Sequence, residues 1–480
     1  MAALSSTGGC FARSARPTPV LVNDVHTQLN PTLVRGVTQV RSLEDIQHLI
    51  RRARRERRPV SIAGGRHAGG GQQFAVDAEL VDTRAMRRVL RFDPDAGLIE
   101  IEAGIQWPEL IEFLLQAQRG RAQVWTIAQK QTGADRLSIG GTLAANAHGR
   151  GLCLPPIISN VESFLLVNAS GDCKSCSRQE NPRLFKLAIG GYGLFGFIYS
   201  VKLRLVPRVK VRRRVAMVNV DDLPATFAER IHDGFLYGDF QFAIDSRSED
   251  FLRRGILACY EPVPDKTPVP VEQRKLSAQD WKELLYLAHV DPTNAFERYS
   301  KHYLVTEGQV YWSDTQYVSD YFEDYHRELD SRLHATEPAT EVIGELYVPR
   351  EVLPRFLHEA RDEIRRDNAV VIYGTIRLIE KDEESFLAWA KKSYACVIFN
   401  LHTPHTTEGI GRTGKSFRRL IDLAIRHEGS YYLTYHRYAG REQVLACYPQ
   451  FPEFLRLKLK HDPDERFQSD WYRHYRKIIA

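Results

Sequence analysis

The segment Val60–Gln73 reads VSIAGGRHAGGGQQ, a β-like run that breaks into a loop with five glycines, one arginine and one histidine. Glycines admit φ > 0 and let the backbone approach a ligand, and successive free N–H groups form an anion-binding concavity. Arg66 adds charge to such a cradle, and His67 places an imidazole inside it. Two readings stand, a phosphate-binding loop and a glycine hinge. The dinucleotide fingerprint G-x-G-x-x-G does not fit, and no GK[ST] follows to make a P-loop. A second cluster runs from Gly133 through Gly140, Gly141, Ala144 and Ala145 to His148, Gly149 and Gly151. Its small residues let the backbone lie flat against a planar or phosphorylated ligand. His148 is a hydrogen-bond donor, a general base or a packing residue. The third cluster, Asn181–Ile198, carries Gly190, Gly191, Gly193 and Gly196 and reads as a short helix, a glycine turn and a strand. Three such loops in one region point to a bound cofactor more strongly than any one alone.

The elements that must hold these loops alternate between β-like runs and helices. Val60–Ala63, Ala78–Asp82 and Leu98–Ala103 read as strands, and Leu43–Arg55 and Trp107–Gln118 as helices. Ser42 and Asp45 approximate a capping box before the first helix. Val161–Asn168 and Cys173–Ser177 form a hairpin around Ser170-Gly171-Asp172, and Ile198–Val206 alternates apolar and basic residues as a strand with one wet face. From Arg208 the texture changes to strands such as Phe240–Ile244, Gly255–Tyr260, Glu345–Val348, Val370–Ile376 and Cys396–Leu401, separated by acidic helical segments. The Pro-rich stretch Pro262–Pro270 reads as a surface loop or lid. The fold class is α+β, with an antiparallel sheet covered by helices in the second region. The expected divisions are a flexible N-terminal tail over 1–30, a cofactor-binding domain over 31–207, a substrate (cap) domain over 208–425, and a segment over 426–480 that returns to the first domain.

A chain of 480 residues with 43% hydrophobic and 26% charged residues has the composition of an ordinary globular protein. No apolar run approaches the roughly 18 residues of a membrane span. The formal net charge of +6 is local, concentrated in arginines 51–58 and in Lys210–Arg214. Neither cluster comes with interleaved aromatics or a nucleic-acid motif; the first reads as a solvated helix face, and a weak attraction for anionic substrates or lipid headgroups stays open. Seven cysteines without a repeating framework favour a reducing compartment, and cytoplasmic is the expected location.

In order and spacing, GGRHAGGG, SIGGTLAANAHGRG and NPRLFKLAIGGYGLFGFI resemble the FAD-binding domain of the vanillyl-alcohol oxidase family, the para-cresol methylhydroxylase type. The resemblance spans residues 33–207 and resumes at the C-terminus. There the DP-x-x-x-F-x-S-D pattern, with the HG after the small-residue run, is similar to decaprenylphosphoryl-ribose oxidases and, more loosely, to alditol and aldonolactone oxidases. The resemblance implies FAD, with its pyrophosphate on Ala63, Gly64, Gly65, Arg66, Ala68 and Gly69. It implies further flavin contacts from Gly133, Gly140, Gly141, Ala144, Ala145, His148, Ile198 and Tyr432. His67 matches the position that some members, including cytokinin dehydrogenases and alditol oxidases, join covalently to the flavin. The decaprenylphosphoryl-ribose oxidases lack that histidine, so the resemblance leaves both a covalent and a non-covalent flavin open. A lysine of those oxidases aligns with Tyr435, and this chain has Tyr435-His436 instead. That difference argues against a polyprenyl-phosphate substrate.

The implied activity is an FAD-linked oxidoreductase, a flavoprotein oxidase or dehydrogenase that oxidises a CH–OH group of a sugar, polyol or sugar-derived substrate by hydride transfer to flavin N5. His148, Tyr435 and His436 are the candidates for the acid–base or orienting role. Arg377, Asn400 and His402 are candidates for the substrate face, and strand alternation places Asn400 and His402 on one side. Dioxygen and other electron acceptors are both compatible, and no motif specifies an oligomeric state. A flavin amine oxidase of the cytokinin-dehydrogenase type would share the His67 loop but needs a carboxylate base. A non-catalytic flavin-binding subunit is the third class. Cys173-Lys-Ser-Cys176 has no second pair, and His402 and His405 have no carboxylate ligand pattern around them, so no metal is expected. No G-x-S-x-G elbow is present.

Overall fold

The computed structural model describes residues 18–317 and 325–479. Helix Leu43–Arg55 forms as expected: Ser42 Oγ accepts from Asp45 N at 3.1 Å, and Ile46, Leu49, Ile50 and Ala53 are buried along one stripe. Its arginines lie on the other face, with Arg52, Arg54 and Arg55 in the last turn where the helix dipole favours cations. The helix connects two strands of a parallel three-stranded sheet, ordered Gly36–Gln39, Glu79–Asp82, Val60–Ala63. Beside it stands an antiparallel five-stranded sheet ordered Cys173–Ser177, Val161–Val167, Phe197–Arg204, Leu98–Glu102, Val89–Asp93. The first strand pair is the expected hairpin. Cys173 is exposed and Cys176 buried, as residues three apart on a strand should be.

The third sheet has eight strands, all antiparallel, in the order Val310–Trp312, Lys210–Asn219, Arg254–Val263, Tyr237–Phe242, Val371–Ile379, Tyr394–Pro404, Ala339–Pro349, Ser430–Tyr431. Several strands run past their expected ends, since tertiary pairing extends what local pattern starts. One face is apolar and carries helices Leu353–Arg366 and Thr407–Arg426. Gly344 marks this contact, because a Cβ there would lie 2.0 Å from the ring of Phe417. The other face is polar. Ile343 and Glu345 on one strand stand opposite Asn400 and Ile398 on the next, so they share that face.

Only part of the expected tail over 1–30 has a described structure, and that part is ordered. Residues 1–17 lie outside the described residues. Val20–Val22 pairs antiparallel with Thr32–Val34, and Asp24, Thr27 and Asn30 are buried in a shared hydrogen-bond network. A short apolar strand followed by buried polar residues leaves no flexible tail over 18–30. At the other end the chain returns to the three-stranded sheet. Val60 N donates to Arg466 O at 2.7 Å, and Gln468 N donates back to Val60 O at 2.9 Å. Among the described residues no helix is long and apolar enough to cross a membrane.

Candidate functional site

A cavity of about 760 Å³ opens between the glycine loops and the polar face of the eight-stranded sheet. Gly64, Gly65, Arg66, His67 and Ala68 line it, as do Gly133, Gly140, Gly141, Ala144, Ala145, His148, Ile198, Arg377, Asn400, Tyr432 and Tyr435. The glycine backbone packs so closely against its neighbours that no added side chain fits. A Cβ on Gly64 would lie 2.0 Å from Ser138 Oγ, one on Gly65 2.3 Å from Arg136 O, and one on Gly140 2.9 Å from the Ala103 Cβ. Gly133 has φ +86°, a left-handed conformation that glycine takes without strain.

Four expected site residues do not line the cavity. Ala63 is buried within its strand, where its carbonyl accepts from Thr83 N. Gly69 faces the returning C-terminal segment, since a Cβ there would lie 2.7 Å from the Tyr435 carbonyl oxygen. Its small size seats Tyr435 rather than a ligand. His436 points away from its neighbour Tyr435 and packs against Phe417 and Tyr438, at ring distances of 4.6 and 4.9 Å. Burial pushes its pKa down to about 3, which makes it a neutral packing residue.

The first glycine loop carries a weakly paired cation. Arg66 Nε is buried without a hydrogen bond, and the nearest carboxylate, Asp82, lies 3.9 Å from Nη2. Gln72 Oε1 and Gln73 Oε1 also line the cavity and also lack partners. Such orphans cost about 1–3 kcal/mol each unless a ligand supplies the missing partners. A weakly paired cation beside unpaired acceptors, at the edge of glycine backbone with no room for side chains, fits FAD, which carries phosphate oxygens and N–H and O–H donors. His67 Nδ1 lies 3.0 Å from His26 Nε2. Burial first, and then His26, lower the His67 pKa to about 3, so its imidazole is neutral near pH 7.

His148 is set in place by the end of helix Ile139–Ala145. The helix stops at Asn146 in a left-handed conformation, φ 49°, and the Asn146 carbonyl accepts from Trp389 Nε1 at 3.1 Å. Trp389 in turn packs 5.1 Å from the His148 ring. His148 Nδ1 is 3.0 Å from the Gly149 carbonyl oxygen and Nε2 is 2.6 Å from Glu345 Oε1. A carbonyl only accepts, so Nδ1 carries a hydrogen. Burial raises the Glu345 pKa, but His148 and then Arg377 more than offset it, and the carboxyl sits below its usual range. An ionised carboxylate at that distance requires a hydrogen on Nε2 too. The pair is a buried imidazolium–carboxylate. Both nitrogens are therefore engaged, and His148 cannot itself take a substrate proton in this arrangement.

Tyr432 donates its hydroxyl to Ala145 O at 2.7 Å, which fixes its ring against the small-residue helix. Burial, and then the charge of Glu345, hold the Tyr435 phenol protonated well above the usual tyrosine range. Arg377 is buried, and its Nε lacks a hydrogen bond. Sequence reasoning missed Glu345, Asp239 and Arg150. Asp239 Oδ1 pairs with Arg150 at 2.9 Å and Oδ2 accepts from Gln241 at 2.8 Å, all three at the cavity. For Glu345 and Asp239 the signal is charge on a strand buried along nearly its whole length, where each charge needs a partner.

His402 is not at the cavity. Glu341 stands directly opposite it in register, and His289 lies 3.3 Å from it, so a carboxylate does accompany this histidine, contrary to expectation. Its sequence neighbour His405 instead shares a hydrogen bond with Thr340 Oγ1.

Residues 34–177 match the family described as "FAD binding domain". An uncharacterized oxidoreductase of the fasciation locus of Rhodococcoides fascians is 30% identical over 165 residues, 34% of this chain and 36% of its own length. L-galactono-1,4-lactone dehydrogenase, mitochondrial, of Arabidopsis thaliana is 26% identical over 208 residues, 42% and 33% of the two chains. Cytokinin dehydrogenase 7 of Oryza sativa subsp. japonica is 32% identical over 177 residues, 36% and 32%. The match thus spans about a third of the length of these relatives. The segment 34–177 is an FAD-binding domain of the kind carried by FAD-linked oxidases and dehydrogenases, and FAD is the cofactor of this chain.

Proposed function

We infer that this chain is an FAD-dependent oxidoreductase that oxidises a CH–OH group of a polyhydroxylated, sugar-derived substrate. The observation that carries the reading is the two-walled cavity, with close-packed glycine backbone on one side and the polar sheet face on the other. We read 31–207 as a two-part flavin domain of the para-cresol methylhydroxylase type, 208–425 as the substrate domain and 426–480 as the returning segment. Gly64, Gly65, Arg66 and Ala68 would hold the pyrophosphate, and Gly140, Gly141, Ala144 and Ala145 the flavin. When bound, FAD supplies the acceptor for a hydride from the substrate carbon.

The protein's own groups then divide the remaining work. Arg377 and the protonated Tyr435 donate to the substrate oxygen and orient the carbon that loses hydride. Glu345, just behind the cavity lining rather than in it, is the final acceptor of the proton: its Oε2 is buried without a hydrogen bond, and it is electrostatically coupled to His148 and to the lining residues Arg377 and Tyr435. His148 is a fixed cation in the wall that favours developing negative charge. Among the described residues, five arginines and one lysine line the cavity against a single carboxylate, Asp239. That balance repels a protonated amine and favours neutral polyols and sugar lactones or acids. The name of the Arabidopsis relative, a sugar-lactone dehydrogenase, agrees with this substrate class.

The amine reading gains one specific support, because Asp239 supplies the cavity carboxylate it requires. Anaerobic mixing of the flavin-loaded protein with aldonolactones, sugar acids, polyols and amines separates the readings. Loss of the oxidised flavin band with a hydroxylated substrate is the expected result. Reduction by amines alone would shift the assignment, and reduction by no C–H donor would overturn the enzyme reading.

A further inference from the structure

The polar face of the sheet continues past the cavity to a second cluster that the proposed oxidation does not use. Glu341 and His402 are register partners on strands Ala339–Pro349 and Tyr394–Pro404, and helix Ala278–Val290 brings His289 over them. His289 Nε2 lies 3.3 Å from His402 Nδ1 and 3.4 Å from Glu341 Oε1, and His402 Nδ1 lies 3.9 Å from the same oxygen. Tetrahedral coordination with bonds of about 2.0–2.2 Å separates ligand atoms by about 3.3–3.6 Å. Two of the three edges fall at or next to that range, and the third is a few tenths of an ångström long. The proton of His289 is already placed: Nδ1 is 2.8 Å from the Leu285 carbonyl oxygen and must donate to it, which leaves a lone pair on Nε2. A hydrogen-bonded backbone carbonyl behind a histidine is the usual support of a metal ligand.

We propose that His289 Nε2, His402 Nδ1 and Glu341 Oε1 bind one divalent first-row metal ion of the zinc class, leaving a fourth position for water. Two imidazoles and a carboxylate suit zinc in donor type and number. Glu341 is buried and its other oxygen accepts from the Tyr325 hydroxyl, while His326 Nδ1, buried without a hydrogen bond, lies 3.3 Å from that oxygen. These contacts orient the carboxylate so that Oε1 faces the two histidines. The other histidine–carboxylate cluster, His148, Glu345 and Cys396, fails the same spacing test. Its His148 and Glu345 atoms are 2.6 Å apart, a hydrogen bond rather than a ligand edge.

The ion would pin helix Ala278–Val290 to the sheet edge. Tyr325 also lines the cavity, so the site stands one hydrogen bond behind the cavity wall. It binds no FAD-domain residue, and its occupancy is independent of the redox reading.

The test uses the full chain, stripped with a chelator and then titrated with Zn²⁺ and with Co²⁺. One equivalent should bind, with the visible absorption of four- or five-coordinate Co²⁺. His402→Ala and His289→Ala should each weaken binding by more than the roughly 10–100-fold typical of losing an outer-shell partner. Retained flavin absorbance and a wild-type circular dichroism spectrum confirm that each variant is folded, and either variant alone suffices if the other does not fold. Absence of stoichiometric metal in the wild type, or a Co²⁺ spectrum unchanged in a folded variant, would leave a metal-free hydrogen-bonded triad and overturn the proposal.

Discussion

Replacing Glu345 separates its charge from its shape. At 2.6 Å and an effective dielectric of about 20, its gross attraction to the His148 imidazolium is about 6 kcal/mol, much of it offset by the cost of taking both charges out of water. Removing one partner of such a pair costs about 3–5 kcal/mol when the other stays charged. Glu345→Ala should therefore lose about 3 kcal/mol, the low end of that range. In Glu345→Gln the neutral His148 keeps its Nδ1 hydrogen on Gly149 O, and the amide N–H₂ donates to Nε2. The amide oxygen takes the place of Oε2, which has no hydrogen bond in the wild type either, so no polar atom loses a partner and the cost should be about 1 kcal/mol.

Activity should fall much further than stability. Losing the proton acceptor should slow anaerobic flavin reduction by about 10²–10⁴-fold, with little change in substrate affinity or FAD content. The sign of the pH dependence follows from the lowered pKa of Glu345 in the folded state. Its stabilisation is complete above the unfolded value of about 4.3 and is lost as pH falls through the folded value. The stability gap between wild type and Glu345→Gln should therefore be constant at neutral pH and close in acid. Stopped-flow reduction and thermal melting across pH measure both. A glutamine variant that reduces its flavin at the wild-type rate would refute the proton-acceptor role. A gap that fails to narrow in acid would refute the ion pair.

Gly64→Ala drives a methyl into Ser138, which caps helix Ile139–Ala145 through Gly141 N at 3.3 Å, so overpacking and cap loss should together cost about 2–4 kcal/mol and lower the FAD content of the purified protein. If the flavin is covalent through His67, wild type will show flavin fluorescence on a denaturing gel and His67→Ala will not; release of all flavin from wild type by acid precipitation would exclude the bond. Arg377→Ala should raise the concentration of substrate needed for half-maximal flavin reduction by about 10–100-fold at unchanged FAD content, equivalent to about 1.4–2.7 kcal/mol. An unchanged value would remove Arg377 from the substrate contacts.

The flavin-domain elements were legible because their signals are local. The Leu43–Arg55 stripe, its Ser42 cap and the glycine loops each need only neighbouring residues to be recognised. The polar wall was not, because it is assembled by sheet pairing between distant strands. His148 meets Glu345 across 197 residues, and no periodicity within either segment announces the other. Adjacency in sequence also misled: Tyr435 and His436 are neighbours, yet one lines the cavity and the other packs beneath Phe417.

One signal was present and sufficient to raise the question. The run Thr340-Glu-Val-Ile-Gly-Glu-Leu-Tyr-Val348 is a buried strand with two glutamates four residues apart, hence on one face. Burying a carboxylate is costly without a partner, so each glutamate implies a cation or donors from another strand or helix. Glu345 finds His148 and Glu341 finds His289, His402 and Tyr325. The sequence thus identifies which strand carries two polar sites. Only the register of its neighbours decides that one serves the cavity and the other has the spacing of a metal site.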